Sequence, residues 1–247
     1  MTNKAPEQSG TGTGVARLTN VGLAMSAMKQ IQAAPAQMPR IAVLSGRPGL
    51  GKSQAAMYLA HPAGGNAVYL ELHSFETTKS LARRLLTELD VRPKASMSIN
   101  DMYEAACERL SLINRPLVID EMDHIAETKS VDFIRAIHDS CATPILLIGE
   151  QQLQQKLLSH HERFHDRVLV WASAQPCDAS DAAALTRHYA SDLTWEAGTH
   201  AALAARANGV ARRVTSEIER IREECKRRGL TSVSVEMVGA VVKGAHR

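Results

Sequence analysis

The chain has 247 residues, of which 45% are apolar, 22% charged and only 4% aromatic, and its formal net charge is +3. That length allows one α/β core and a small further domain, and the mild positive charge is compatible with nucleic acid without requiring it. No run of about 18 apolar residues is present to span a membrane, the polar N-terminus has no hydrophobic segment of a secretory signal, and Cys107, Cys141, Cys177 and Cys225 lie scattered without a C-x-x-C pair, as reduced intracellular thiols do rather than a disulfide framework or a zinc site.

Residues 1–18 are rich in Gly, Thr and polar side chains and predict a flexible tail. A helical spacing follows, with Thr19 or Asn20 as its cap, and Pro35 and Pro39 end it. The apolar run 41–45 predicts a strand. It leads into Gly46-Arg47-Pro48-Gly49-Leu50-Gly51-Lys52-Ser53, which fits G-x-x-x-x-G-K-[ST]. Glycines at 46, 49 and 51 let such a loop turn tightly, with Pro48 among them, and aim its amide N–H groups at one point. A helix from about Gly51 to 60 adds the positive end of its dipole. Lys52 is then placed to reach the β and γ phosphates of ATP, and the Ser53 hydroxyl to ligate Mg2+.

Strand and helix alternate from there: a strand at 66–72, a helix at 77–90, a break at Pro93, a helix at 98–114 and a buried strand at 115–121. Asp120 and Glu121 emerge at the carboxyl end of this last strand, where open α/β sheets place their ligands. Asp120 is expected to hold Mg2+ through a water, and Glu121 to act as general base on the attacking water. A helix at 129–142 precedes a strand at 143–150 that ends in Gly149-Glu150, where a polar side chain can sense the γ-phosphate. After a short helix at 151–159, Arg163 and Arg167 stand just before the final strand, 166–172. An arginine there can reach a neighbouring subunit's nucleotide and stabilise transition-state charge. The alternation predicts an α/β fold with a parallel five-stranded sheet flanked by helices. His160, His161 and His165 have no standard metal-ligand spacing.

After Pro176 only helical patterns remain, at 178–190, 194–207, 210–228 and 234–242. Arg212 or Arg213, near the start of the third, is placed to touch phosphates from above. The expected division is a tail over 1–18, a nucleotide-binding core over 19–175 and a helical lid over 176–247.

This order, from P-loop through acidic strand, polar strand end and pre-strand arginine to Gly-x-x-Arg in a helical lid, resembles the AAA+ ATPases over about residues 20–230. "RPLVIDEMDHI", "PILLIGEQQL", "ERFHDRVLVW" and "AQPCD" are similar to the ATP-dependent transposition proteins of Mu-like phages, the MuB type, which are related to the TnsC and TniB regulators of transposons. The resemblance implies a protein that binds ATP and polymerises as a helical filament on double-stranded DNA. It marks that DNA as a target and stimulates a transposase, which in turn promotes hydrolysis and disassembly. The implied partners are duplex DNA, further copies of the chain and a transposase, in the cytoplasm of a bacterial host if the chain is phage-encoded. The wider family often has Asn where this chain has Glu150, and a carboxylate there repels the γ-phosphate unless it is protonated or bridged by water. The short polar tail is expected to carry no folded DNA-binding module, which leaves DNA contact to the core.

Candidate phosphate contacts are Lys79, Arg83 and Arg84 on one helix, Arg92 and Lys94 around Pro93, and Lys129 at the start of another helix. "KRR" at 226–228 reads as a helix end complementing its dipole. Two alternatives stand beside the DNA-binding reading: an AAA+ loader or signalling ATPase acting on protein partners, and a monomeric P-loop kinase. The Asp120-Glu121 pair, the lid and the pre-strand arginines disfavour the kinase.

Overall fold

The computed structural model describes residues 14–35 and 37–240. In chain order the elements are α1 (Thr19–Ala33), β1 (Ile41–Ser45), α2 (Lys52–Ala60), β2 (Val68–Glu71), α3 (Thr78–Glu88), α4 (Ile99–Ile113), β3 (Leu117–Asp120), α5 (Ser130–Cys141), β4 (Ile145–Gly149), α6 (Leu153–His160), α7 (Glu162–His165), β5 (Val168–Ser173), α8 (Ala179–Tyr189), β6 (Thr194–Trp195), α9 (Thr199–Arg206), α10 (Ala211–Arg228), β7 (Ser232–Val233) and α11 (Val235–Ala240).

The first five strands form one parallel sheet in the order β2-β3-β4-β1-β5, as expected. Parallel pairing needs a crossover between strands, and helices supply it on both faces. Every residue of β1, β3 and β4 is buried, which is why each reads as an unbroken apolar run. Alternate residues feed two cores. Ala42, Leu44, Val118, Leu146 and Ile148 pack with α1, α2 and the helices after β5. Ile41, Val43, Leu117, Ile119, Ile145 and Leu147 pack with α3, α4 and α5. The register Ser45↔Gly149 and Glu71↔Asp120 brings the carboxyl ends of four strands to one edge of the sheet.

Three local expectations are corrected. Thr19 and Asn20 do not cap α1: the cap is Leu18, with no side-chain hydrogen bond. Both polar groups go to more distant partners instead. Thr19 donates its amide and hydroxyl to Asp181 at 2.7 and 3.0 Å. Buried Asn20 donates to the carbonyls of Leu50 and Gln175 and accepts from the Gln175 amide, each at 2.8 Å. Second, the end of the predicted tail is packed, because Val15 and Leu18 join the core on the α1 face; residues 1–13 lie outside the described ones. Third, the region after Pro176 is not wholly helical. Thr194–Trp195 pairs in parallel with Ser232–Val233, and the helix predicted from 194 begins only at Thr199, after Gly198 in the left-handed region (φ +87°). Residues 241 and 242 of the last predicted helix lie outside the described residues.

Candidate nucleotide site

The loop between β1 and α2 wraps the end of the sheet. Gly49 (φ +79°) sits under the start of α10: a Cβ there would stand 2.8 Å from Val210 Cγ1, and the Arg212 amide donates to the Gly49 carbonyl at 3.1 Å. Gly51, also left-handed, precedes the first residue of α2. The amides of Gly49, Leu50, Gly51 and Lys52 have no acceptor among the described residues, so the loop presents unpaired donors at a helix N-terminus, a chemical match for phosphate oxygens. Lys52 folds back on the same loop, its Nζ donating to the carbonyls of Gly46 at 2.7 Å and Arg47 at 3.0 Å. Burial lowers its pKa, and Asp120, Glu121, Glu150 and Asp123 pull the other way. A cation that feels four carboxylates yet is ion-paired to none of them among the described residues is matched to a ligand carrying both phosphate and a divalent cation.

Asp120 is 2% exposed. It accepts from the Glu121 amide at 2.9 Å and from the Tyr69 hydroxyl at 3.4 Å, and it shares the cavity wall with Ser53. Burial pushes its carboxyl above the usual range, against the opposing pull of the nearby Ser53 hydroxyl and the Glu121 amide. Burial likewise raises the Tyr69 phenol, helped by Asp120. Glu121 takes left-handed backbone angles (φ 57°, ψ 38°), a conformation uncommon for a residue with a side chain. Burial and the Asp120 charge raise its pKa, the direction that suits a general base. Glu150 is exposed, and its amide donates to Asp123 Oδ2.

These groups line one cavity of about 330 Å3. Pro48, Gly49, Gly51, Lys52, Ser53, Asp120, Glu121, Gly149, Glu150 and Arg212 form its polar part, while Leu18, Leu185 and Tyr189 form an apolar end suited to a flat ring. The donor set fits Mg–ATP: a carboxylate beside a hydroxyl, a lysine among carboxylates, and a glycine cradle that a side chain would fill. The apolar end was not legible in the sequence, since its three residues come from the predicted tail and from α8. Asp123 was not foreseen either.

The remaining candidates fall elsewhere. Arg163 and Arg167 stand at the opposite end of the sheet from the P-loop: Val168 pairs with Ile41, and the Arg167 carbonyl accepts from the Ile41 amide. Arg167 is already engaged, donating to both Asp139 oxygens at 3.2 Å. Although burial opposes the shift, Arg167 and His138 hold the Asp139 carboxyl below its usual range. Arg163 is exposed and has no ion pair among the described residues. Of the basic candidates, Lys79, Arg92, Lys94 and Lys129 are likewise exposed and unpaired among the described residues. Arg84 instead pairs with Glu76 at 2.6 Å and donates to the Glu71 carbonyl, and Arg83 donates to the Lys94 carbonyl at 3.3 Å. Among the described residues no His, Cys, Asp and Glu group is arranged to hold a metal by itself, and no helix is long and apolar enough to cross a membrane.

Residues 36–157 match a family described as the AAA domain. No curated protein matches the sequence. Among solved structures, the ADP form of the ORC2 protein of Aeropyrum pernix superposes with a TM-score of 0.65 at 14% identity, over 98% of this chain and 70% of that one. The ORC1 protein of Aeropyrum pernix in complex with DNA gives 0.64 at 19%, over 92% and 64%. The RuvB Holliday junction branch migration motor of Thermotoga maritima gives 0.60 at 16%, over 90% and 66%. At these identities the likeness is one of fold, that of the AAA+ P-loop ATPases, and the chain spans about two thirds of the length of these structures.

Proposed function

From an AAA domain over residues 36–157, we propose that the protein is an ATP-hydrolysing, sequence-tolerant DNA-binding protein that assembles as a helical filament on duplex DNA, selects target DNA and activates a transposase, in the manner of the MuB type. The observation that carries the ATPase part is the single cavity where Lys52, Ser53, Asp120, Glu121, Glu150 and Arg212 converge from the loop, two strand ends and the lid. Lys52 exchanges its two loop carbonyls for phosphate oxygens. Ser53, and Asp120 through a water, would hold Mg2+, which when bound would neutralise phosphate charge. Glu121 takes the proton of the attacking water. Arg212 approaches the phosphates from the lid, and Leu18, Leu185 and Tyr189 receive the base.

Two observations support assembly. Arg163, exposed and without an ion pair among the described residues, stands at the far end of the sheet from its own loop, which suits a role at a neighbour's site; Arg167, held by Asp139, shapes the surface on which Arg163 stands. DNA contact rests on Lys79, Arg92, Lys94 and Lys129, while Arg83 and Arg84 are spent on internal bonds. That the Aeropyrum ORC1 structure is a DNA complex agrees with this reading. The internal bonds of Arg83 and Arg84 also favour, as a second reading, an AAA+ ATPase that acts on protein partners only. Steady-state hydrolysis with and without random-sequence duplex separates the two. Stimulation that fades with salt supports the DNA reading, and turnover indifferent to DNA supports the other.

The proposed division is a core to residue 175 and a lid from 176, with β5 ending at Ser173 and α8 beginning at Ala179. The same reading places its action in the cytoplasm, that of a bacterial host if the chain is phage-encoded. Transposase contact is tested by adding a transposase of a Mu-like element and measuring hydrolysis.

A further inference from the structure

Asp123 lies two residues beyond Glu121, inside the short 3-10 turn Met122–His124 that follows the left-handed Glu121. Its Oδ2 accepts the Glu150 amide from the end of β4, a strand separated from it by 27 residues of chain. Oδ1 is buried and has no hydrogen-bond partner among the described residues. The approach depends on Gly149: a Cβ there would overlap Asp123 Oδ2 and stand 2.7 Å from Leu153 Cδ2. The Gly149 carbonyl in turn accepts the Gly46 amide at 3.3 Å, and the Gly46 carbonyl accepts from Lys52. One hydrogen-bonded path thus runs from the acidic strand through the tip of β4 to the phosphate loop.

We propose that Asp123 is a positioning residue, a strap that holds the Gly149–Glu150 tip of β4 against the acidic end of β3 so that Glu121, Glu150 and Lys52 face a bound nucleotide together. The inference rests on the ATPase reading above. Leaving Oδ1 buried without a partner among the described residues is a cost, and the bond of Oδ2 to the Glu150 amide, reached over Gly149, is the contact set against it. The strap joins elements that the nucleotide also joins. Its loss misplaces the groups that act during hydrolysis while the loop amides still bind phosphate.

The experiment compares Asp123→Ala, Asp123→Asn, Gly149→Ala and Glu121→Gln with the unaltered chain. It measures the affinity for a fluorescent ATP analogue, kcat, KM and the thermal midpoint. Expected is a fall in kcat of about 10- to 100-fold for Asp123→Ala and for Gly149→Ala, with affinity held within about threefold. Asp123→Asn should recover most of the rate, since its amide oxygen still accepts from Glu150. Wild-type turnover in Asp123→Ala overturns the proposal. So does a loss of affinity in proportion to kcat together with a fallen thermal midpoint, because Asp123 is then only scaffold. An Asn variant as poor as the Ala variant overturns it too, because charge rather than the strap is then what matters. Glu121→Gln turning over at the wild-type rate overturns the ATPase reading itself, and the role of Asp123 with it.

Discussion

Asn20→Ala removes a side chain that joins three parts of the molecule. Its amide donates to Leu50 in the phosphate loop and to Gln175 at the start of the segment leading to α8, and its oxygen accepts from the Gln175 amide. The residue is 1% exposed, so water does not replace its bond to the Leu50 carbonyl, whereas Gln175 lies at the surface. One buried and two partly buried bonds at about 1 kcal/mol each give up to about 3 kcal/mol. For a chain of this size that is a drop of about 6–12 °C in the thermal midpoint. Asn20→Asp should be no better, because its carboxylate faces two carbonyl oxygens and can donate to neither unless protonated. Urea unfolding followed by circular dichroism reads the change directly. A loss below about 1 kcal/mol in the alanine variant would show that solvent reaches the site and that loop and lid are not tied there.

Lys52→Ala should abolish binding of a fluorescent ATP analogue, because the loop amides do not replace its point charge; unchanged affinity sinks the assignment of the loop. Arg163→Ala should keep monomeric ATP binding yet lose hydrolysis and assembly. Arg167→Ala should mainly cost stability, at most about 1 kcal/mol for a half-exposed ion pair, so the opposite pattern would move the finger to Arg167. Asp120 and Glu121 are raised in the folded chain, so the native state binds protons more tightly than the unfolded one. Their contribution is fully present below the unfolded carboxylate range and is lost as pH rises through the folded values. Burial lowers the His161 and His200 pKa values, and these two oppose the pair on acidification from neutral pH, so the pair is read by difference: Glu121→Gln should stabilise the nucleotide-free protein at pH 7 by an amount that shrinks as pH falls, and a stabilisation that does not change with pH refutes this.

The strands were legible because β1, β3 and β4 are buried on both faces, which leaves continuous apolar runs punctuated by Ser45, Asp120 and Gly149. The polar half of the cavity was legible for a related reason: its residues sit at the ends of those runs. What the sequence hid is what tertiary contact creates. β6 and β7 are two residues each and exist only because α10 returns the chain beside Thr194. Leu18, Leu185 and Tyr189 meet across more than half the chain with no periodicity to join them. Asn20 looks like a cap because local rules favour it there, yet its partners are distant. Arg84 and Arg167 look like free cations until Glu76 and Asp139 fold against them.

The central claim is ATP-dependent assembly on DNA, and electron microscopy of the Glu121→Gln protein tests it most directly. With ATP, Mg2+ and random-sequence duplex, this variant should be trapped as regular helical filaments along the DNA, which vanish when ATP is withheld or when Lys52→Ala replaces it. Particles that stay monomeric on bare DNA under the same conditions, with ATP demonstrably bound, would contradict the account.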